Sequence, residues 1–150
     1  MIVTFENITS VKRMTELERA AFFFADILLS RKSVDELELE IVLVRDITEK
    51  GNIEVLDHEE MNPTMFRLEL KKDKIDEQIA TLAHEMVHLK QYHMGELRDT
   101  EEKDIYLWNN VLKDMTDIDY HDYPWEIEAY GREVGLNFKY RKKHPKLLLG

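Results

Sequence analysis

Hydrophobic and polar positions along the 150-residue chain fall into two periods. Apolar residues recur every three or four positions through Leu17, Ala20, Ala21, Phe24, Ile27 and Leu28, the spacing of one buried helix face. This predicts a first helix over residues 15–30, opened by a Thr15/Glu18 capping box, with Phe22 and Phe23 widening its apolar surface. Alternation with period two follows. Leu39, Ile41 and Leu43 mark a strand over Leu39–Arg45. A second, Ile53–Asp57, follows a turn at Lys50-Gly51-Asn52. In Met65–Lys71, Phe66, Leu68 and Leu70 alternate with Met65, Arg67 and Glu69. Helical spacing then returns in Ile75, Ile79, Leu82, Ala83, Met86 and Leu89, predicting a long helix over residues 74–94. Asp73 is its N-cap, Asp76 suits its first turn and Gly95 is its stop. Ile105–Leu112 reads as a short hairpin turning at Asn109-Asn110. A last helix spans residues 124–142, with Pro124 in its first turn. The expected fold class is α+β in a single domain over residues 1–150: an N-terminal helix, a small and mainly antiparallel sheet, a long helix, a hairpin-bearing loop and a C-terminal helix.

Composition narrows the partners more than the fold. Apolar content is 43% and no linker, repeat or low-complexity tract divides the chain, as expected of one globular unit. The absence of Cys removes disulfides and thiolate metal ligands and fits a cytoplasmic protein. No signal pattern opens the chain, and its most apolar stretch, Ala20–Leu29, is interrupted by Asp26 and too short to cross a bilayer. Net charge is −10. The last twelve residues hold five bases (Lys139, Arg141, Lys142, Lys143 and Lys146) and no acid, leaving 16 bases against 31 acids, a net −15, in the first 138. Such a body repels nucleic acid and anionic membranes, so neither is an expected partner. The terminal bases read best as complements to the C-terminus of the last helix. Oligomeric state leaves no sequence signal.

The candidate chemistry sits in the long helix, at His84-Glu85-Met86-Val87-His88. Positions i and i+4 share one helix face, so both imidazoles can converge on one ion, and Glu85 is close enough to act on a water there. This is the H-E-x-x-H arrangement of zinc hydrolases, two ligands and a general base. A catalytic zinc site needs a third protein ligand. The extended motif with Gly and His at positions 91 and 94 is excluded, because the chain has Gln91 and Met94 there and His93 is out of register. Gln91 reads as a polar residue lining a cleft. The last helix offers two acids, Glu126 and Glu128. Glu128 shares a face with Gly131, Arg132 and Gly135, and two glycines within a helix suggest a close approach to a neighbour. Glu128 is therefore the expected third ligand, with Glu126 the leading substitute, placed with Glu133 on the opposite face.

Leu82-Ala83-His84-Glu85-Met86-Val87-His88 followed by Pro124-Trp125-Glu126-Ile127-Glu128-Ala129-Tyr130 resembles the small gluzincin-type metallopeptidases, particularly the short SprT-like and minigluzincin-like domains common in bacteriophage genomes. The likeness spans about residues 65–137. It implies a zincin-like fold, zinc held by His84, His88 and Glu128, and a peptide or protein substrate hydrolysed by water that Glu85 activates. A second donor to the substrate carbonyl would come from His121, Tyr120, Tyr123 or Tyr130. By the same analogy, Met65–Lys71 and its neighbour Ile53–Asp57 are candidate edge strands for an extended peptide. The third histidine and the nucleic-acid-binding module of true SprT proteases have no counterpart in the chain. A non-catalytic zinc-binding or interaction domain is the alternative reading. A non-haem Fe(II) site, which also uses two His and a carboxylate, leaves Glu85 without a job.

Overall fold

The computed structural model of the chain describes residues 1–148. Its elements run β1 (Ile2–Glu6), α1 (Val11–Leu28), α2 (Arg31–Glu36), β2 (Glu38–Val44), β3 (Gly51–Val55), β4 (Met65–Lys71), α3 (Ile75–His93), β5 (Leu97–Asp99), β6 (Ile105–Trp108), β7 (Val111–Asp114), a 3₁₀ turn (Tyr120–Asp122) and α4 (Pro124–Lys143). The class is α+β, as expected. Among the described residues no helix is long and apolar enough to cross a membrane.

The larger sheet has strand order β1-β2-β4-β3. Contrary to the expectation of a mainly antiparallel sheet, β1 and β4 flank β2 in parallel, and only β3 runs antiparallel, on the outer side of β4. For β1 and β2 the reason is the crossover: α1 and α2 carry the chain from the end of β1 back to the start of β2, which a parallel pair requires. For β2 and β4, the intervening β3 turns back on β4's outer side and leaves β4 parallel to β2. Alternation along a strand shows which face is buried but not which way a neighbour runs. In β4, Phe66, Leu68 and Leu70 point into the core, while Arg67 on the other face reaches Glu40 at 2.9 Å and Glu6 at 3.4 Å across two strands.

Helix α3 lies at the centre of the molecule. It packs on β3 and β4 and against both α1 and α4, and thirteen of its nineteen residues are buried, so it is held on all sides. Its N-cap is Lys74 rather than Asp73, which instead accepts from the Lys74 N–H. Helix α1 begins at Val11, four residues before the expected capping box, because the Ser10 hydroxyl caps it by accepting from Arg13 N. Its first turn is polar and exposed, so apolar spacing does not report it. Ser30 caps α2 in the same way.

The second sheet is the antiparallel meander β5-β6-β7. Its hairpin turns at Asn109 and Asn110, whose φ of 50° and 65° are the left-handed values a two-residue turn demands and asparagine tolerates. Leu97, Met115 and Trp125 form a separate buried cluster, covered by Tyr92, Tyr106, Trp108 and Tyr123. This cluster fastens the small sheet to the start of α4 and so fixes how α4 enters the site. Lys139–Lys143 form the last turn of α4 rather than a free tail, with Arg141, Lys142 and Lys143 at its C-terminus as the charge argument anticipated.

Candidate metal centre

Helices α3 and α4 cross where His84 and His88 meet a carboxylate, and that carboxylate is Glu126. Its Oε1 lies 3.1 Å from His84 Nε2 and its Oε2 lies 2.9 Å from His88 Nε2, while the two Nε2 atoms are 3.2 Å apart. All three residues are more than nine-tenths buried. Among the described residues this is the group of His and acidic side chains close enough to share a metal ion.

Glu128, the expected third ligand, is elsewhere. Its carboxylate accepts from Gln91 Nε2 at 2.8 Å and pairs with Lys90 at 3.2 Å. The glycine argument fails for a physical reason: added Cβ atoms at Gly131 and Gly135 would meet nothing within 4 Å, so that face of α4 points away from α3. The packing face runs through Trp125, Glu126, Ala129, Leu136 and Tyr140. Those apolar residues carried the usable sequence signal. Spacings of three and four from Ala129, Leu136 and Tyr140 place Glu126 and Glu133 on the inner side.

The atoms behind the imidazoles fix their roles. Gln91, fully buried, donates its Nε2 to Trp125 O at 3.0 Å and to Glu128. Its Oε1 therefore faces His88 Nδ1, 2.7 Å away, and accepts that N–H. The lone pair of His88 is then left on Nε2, the atom that faces Glu126. Glu133, for which the sequence reading found no role, sets its carboxylate 3.7 Å from His84 Nδ1, beyond hydrogen-bond length but on the proton-bearing side. Outer partners of this kind are what orient metal-binding histidines. Gln91 is thus the orienting partner of His88 and, fully buried, does not line the cleft as the sequence suggested.

Without an ion, electrostatics favour protons on the imidazoles, which a metal would displace. Burial opposes charge on His84, but the Glu126 hydrogen bond and the Glu133 carboxylate outweigh it and push His84 up to about 9. His88 is raised for the same reason, again against burial. Glu126, although buried, is held down to about 2 by both imidazoles. The donor set fits a divalent metal. A tetrahedral zinc with ligand bonds of about 2.0–2.1 Å separates its donor atoms by about 3.4 Å. The two Nε2 atoms are 3.2 Å apart, and each has a different oxygen of Glu126 at 2.9 to 3.1 Å, so one ligand atom from each residue falls within reach of a shared ion. Without an ion, the facing Nε2 atoms are within hydrogen-bond distance of each other and of Glu126; loss of the protons on that side leaves three donors facing one point.

Glu85 lies beside this group, 7% exposed and lining the same cleft. No described residue hydrogen-bonds its carboxylate. Burial raises its pKa, against the pull of His88 and His84. The cleft measures about 1470 Å³. β3 is its edge strand, while β4 is interior. Gly51 is the point of closest approach: a Cβ there would sit 2.6 Å from Thr81 Cγ2, 3.0 Å from Glu69 O and 3.5 Å from Glu85 Cγ. Of the four candidate donors, Tyr120, Tyr123 and Tyr130 line the cleft. Tyr130 packs its ring on His84 at 4.5 Å, and Tyr123 is held among Tyr106 and Trp125. The Tyr120 hydroxyl is directed at Glu126, and burial together with that carboxylate keeps it protonated. His121 is exposed and bonded to Asp119. His93, the histidine out of register, is buried against Pro63 O at 2.8 Å.

No protein-family model, curated protein or solved structure matches the chain.

Proposed function

We propose that the protein is a zinc-dependent peptidase whose metal is held by His84, His88 and Glu126. The observation that carries this reading is Glu85: a residue 7% exposed whose carboxylate forms no hydrogen bond among the described residues, placed beside a three-donor group and opening on a large cleft. A site kept only for stability gives that position no work, and burying a carboxyl there costs free energy. The ion would supply a Lewis acid for the substrate carbonyl and an acidified water.

The chain's own residues account for the remaining chemistry. Glu85 removes the proton of the water that adds to the carbonyl carbon. It returns the proton to the amine as the C–N bond breaks. Its raised pKa suits both halves of that exchange. Tyr120 donates its hydroxyl proton to the carbonyl oxygen as negative charge develops there. Gln91 and Glu133 hold the imidazoles in place. The outer edge of β3 offers main-chain donors and acceptors to an extended peptide.

Glu85→Gln tests the reading. The variant should keep stoichiometric zinc and lose hydrolysis of a mixed peptide pool by about 10²–10⁴-fold, the worth of a general base. Unchanged hydrolysis in the zinc-loaded variant excludes the mechanism.

A further inference from the structure

We propose that the cleft selects peptides bearing lysine or arginine, which it holds between the acidic connection from β5 to β6 and a wall of aromatic rings. The proposal rests on the peptidase reading and names the substrate class of that site.

Of the residues lining the cleft, ten are Asp or Glu and two are Lys, a net −8 within a chain whose total is −10. Glu85, Glu126 and Glu133 belong to the metal centre. Seven other acids remain, and the cleft's Lys50 is already engaged by one of them, Glu77, at 3.4 Å. The densest run is the β5–β6 connection. Asp99, Glu101, Glu102 and Asp104 stand there against Lys103 alone. Among the described residues, the carboxylates of Glu101, Glu102 and Asp104 form no ion pair, whereas acids a short distance away do, such as Glu96 with Lys90 at 2.7 Å. Exposed carboxylates alone would signify nothing.

Two further observations point to a ligand. Glu85 is 7% exposed, lines the same cleft, and forms no side-chain hydrogen bond among the described residues. The facing wall is aromatic: Tyr106, Tyr120, Tyr123, Trp125 and Tyr130 all line the cleft, with neighbouring rings 4.8 to 6.2 Å apart from Tyr106 through Trp125 and Tyr123 to Tyr120. Rings flanked by carboxylates attract cations through both charge and the ring quadrupole. Among the described residues, the protein's own cation–ring contacts, Arg19 on Tyr140 and Lys143 on Phe23, lie outside this wall; Trp125 is buried beneath it, while the exposed rings of Tyr120 and Tyr130 can meet an incoming cation. The acidic connection also borders a second cavity of about 600 Å³ that adds Glu54, Glu59 and Glu60 against Arg98, extending a net negative surface along the β3 edge. A peptide lying on that edge sends alternate side chains toward it, and basic side chains are the ones these walls favour.

The test uses zinc-loaded protein and two fluorescent peptides of equal length, one with Lys and Arg at alternate positions and one with Gln in their place. By anisotropy at low salt the basic peptide should bind at least about tenfold more tightly, on the basis of several modest ion pairs acting together. The advantage should shrink at high salt and fall about tenfold in the E101Q/E102Q/D104N variant. Asn suits position 104, where φ is +62°. Equal binding of the two peptides, or a preference untouched by salt, overturns the proposal without reliance on any variant. Hydrolysis is followed in parallel by the wild type. A binding preference with no cleavage refutes the peptidase reading alone, and cleavage of both peptides at equal kcat/KM refutes the preference alone.

Discussion

Replacing Glu126 with Gln and, separately, Glu128 with Gln separates a metal ligand from its neighbour two residues away. Both changes are isosteric and remove one negative charge. Glu126 contacts both imidazole Nε2 atoms at 2.9 and 3.1 Å, so its loss removes one of three protein donors. Zinc sites with four protein ligands bind with roughly 10–16 kcal/mol, about 3 kcal/mol per ligand, which corresponds to a loss of about 10²–10³-fold in affinity. Glu128 reaches the centre only through Gln91, 2.8 Å away. Gln91 keeps its other acceptor, Trp125 O, and Lys90 keeps Glu96. Outer partners of metal ligands are worth about 10–100-fold, and a group one contact further out should cost less than about tenfold. Competition against a chromophoric chelator, with elemental analysis of the dialysed proteins and circular dichroism to show that each is folded, gives the affinities. A Glu128→Gln protein that loses zinc while Glu126→Gln keeps wild-type affinity refutes the assignment.

Two further outcomes follow from the packing. Gly51→Ala drives a methyl group into Thr81 at 2.6 Å and toward Glu85 at 3.5 Å; overpacking of this kind costs about 1–3 kcal/mol, so thermal melts should show a lower Tm, and a Tm equal to wild type would mean that β3 does not press on α3. Glu16 is fully buried, and although burial raises its pKa, hydrogen bonds from Arg19, Tyr140 and the Leu148 N–H bring it below the ordinary carboxylate value of 4.5. A carboxyl depressed on folding contributes stability that is present above its unfolded pKa and lost as pH falls through its folded one. Glu16→Gln should therefore melt well below wild type at neutral pH, by the few kcal/mol that breaking a buried pair costs. The gap should narrow as the pH drops below about 4.5, and a gap that stays constant down to pH 3 removes the linkage.

The longer elements of the fold and two of the three residues of the candidate metal group were legible in the sequence; β1, α2 and β5, short and without a clear apolar period, were not. Helical spacing located α3 within a residue at each end, β4 was delimited to the residue, and the Asn109-Asn110 turn was placed, because each depends on residues within a turn or two of one another. His84, Glu85 and His88 were legible for the same reason: four residues apart on a helix is a fixed distance. The parallel sense of β1, β2 and β4 was not, since it is set by how α1 and α2 cross from β1 to β2 and by β3 taking the outer side of β4. Nor was the choice between Glu126 and Glu128. Both lie in the first turns of one helix, about 200° apart around its axis, and only the side pressed against α3 decides between them. That side is chosen by Trp125 docking into the small sheet's apolar cluster and by Ala129, Leu136 and Tyr140 entering the main core. Local spacing therefore determined which side chains could bind a metal, and burial of the α4 apolar stripe, a property of the whole packed chain, determined which carboxylate reaches it.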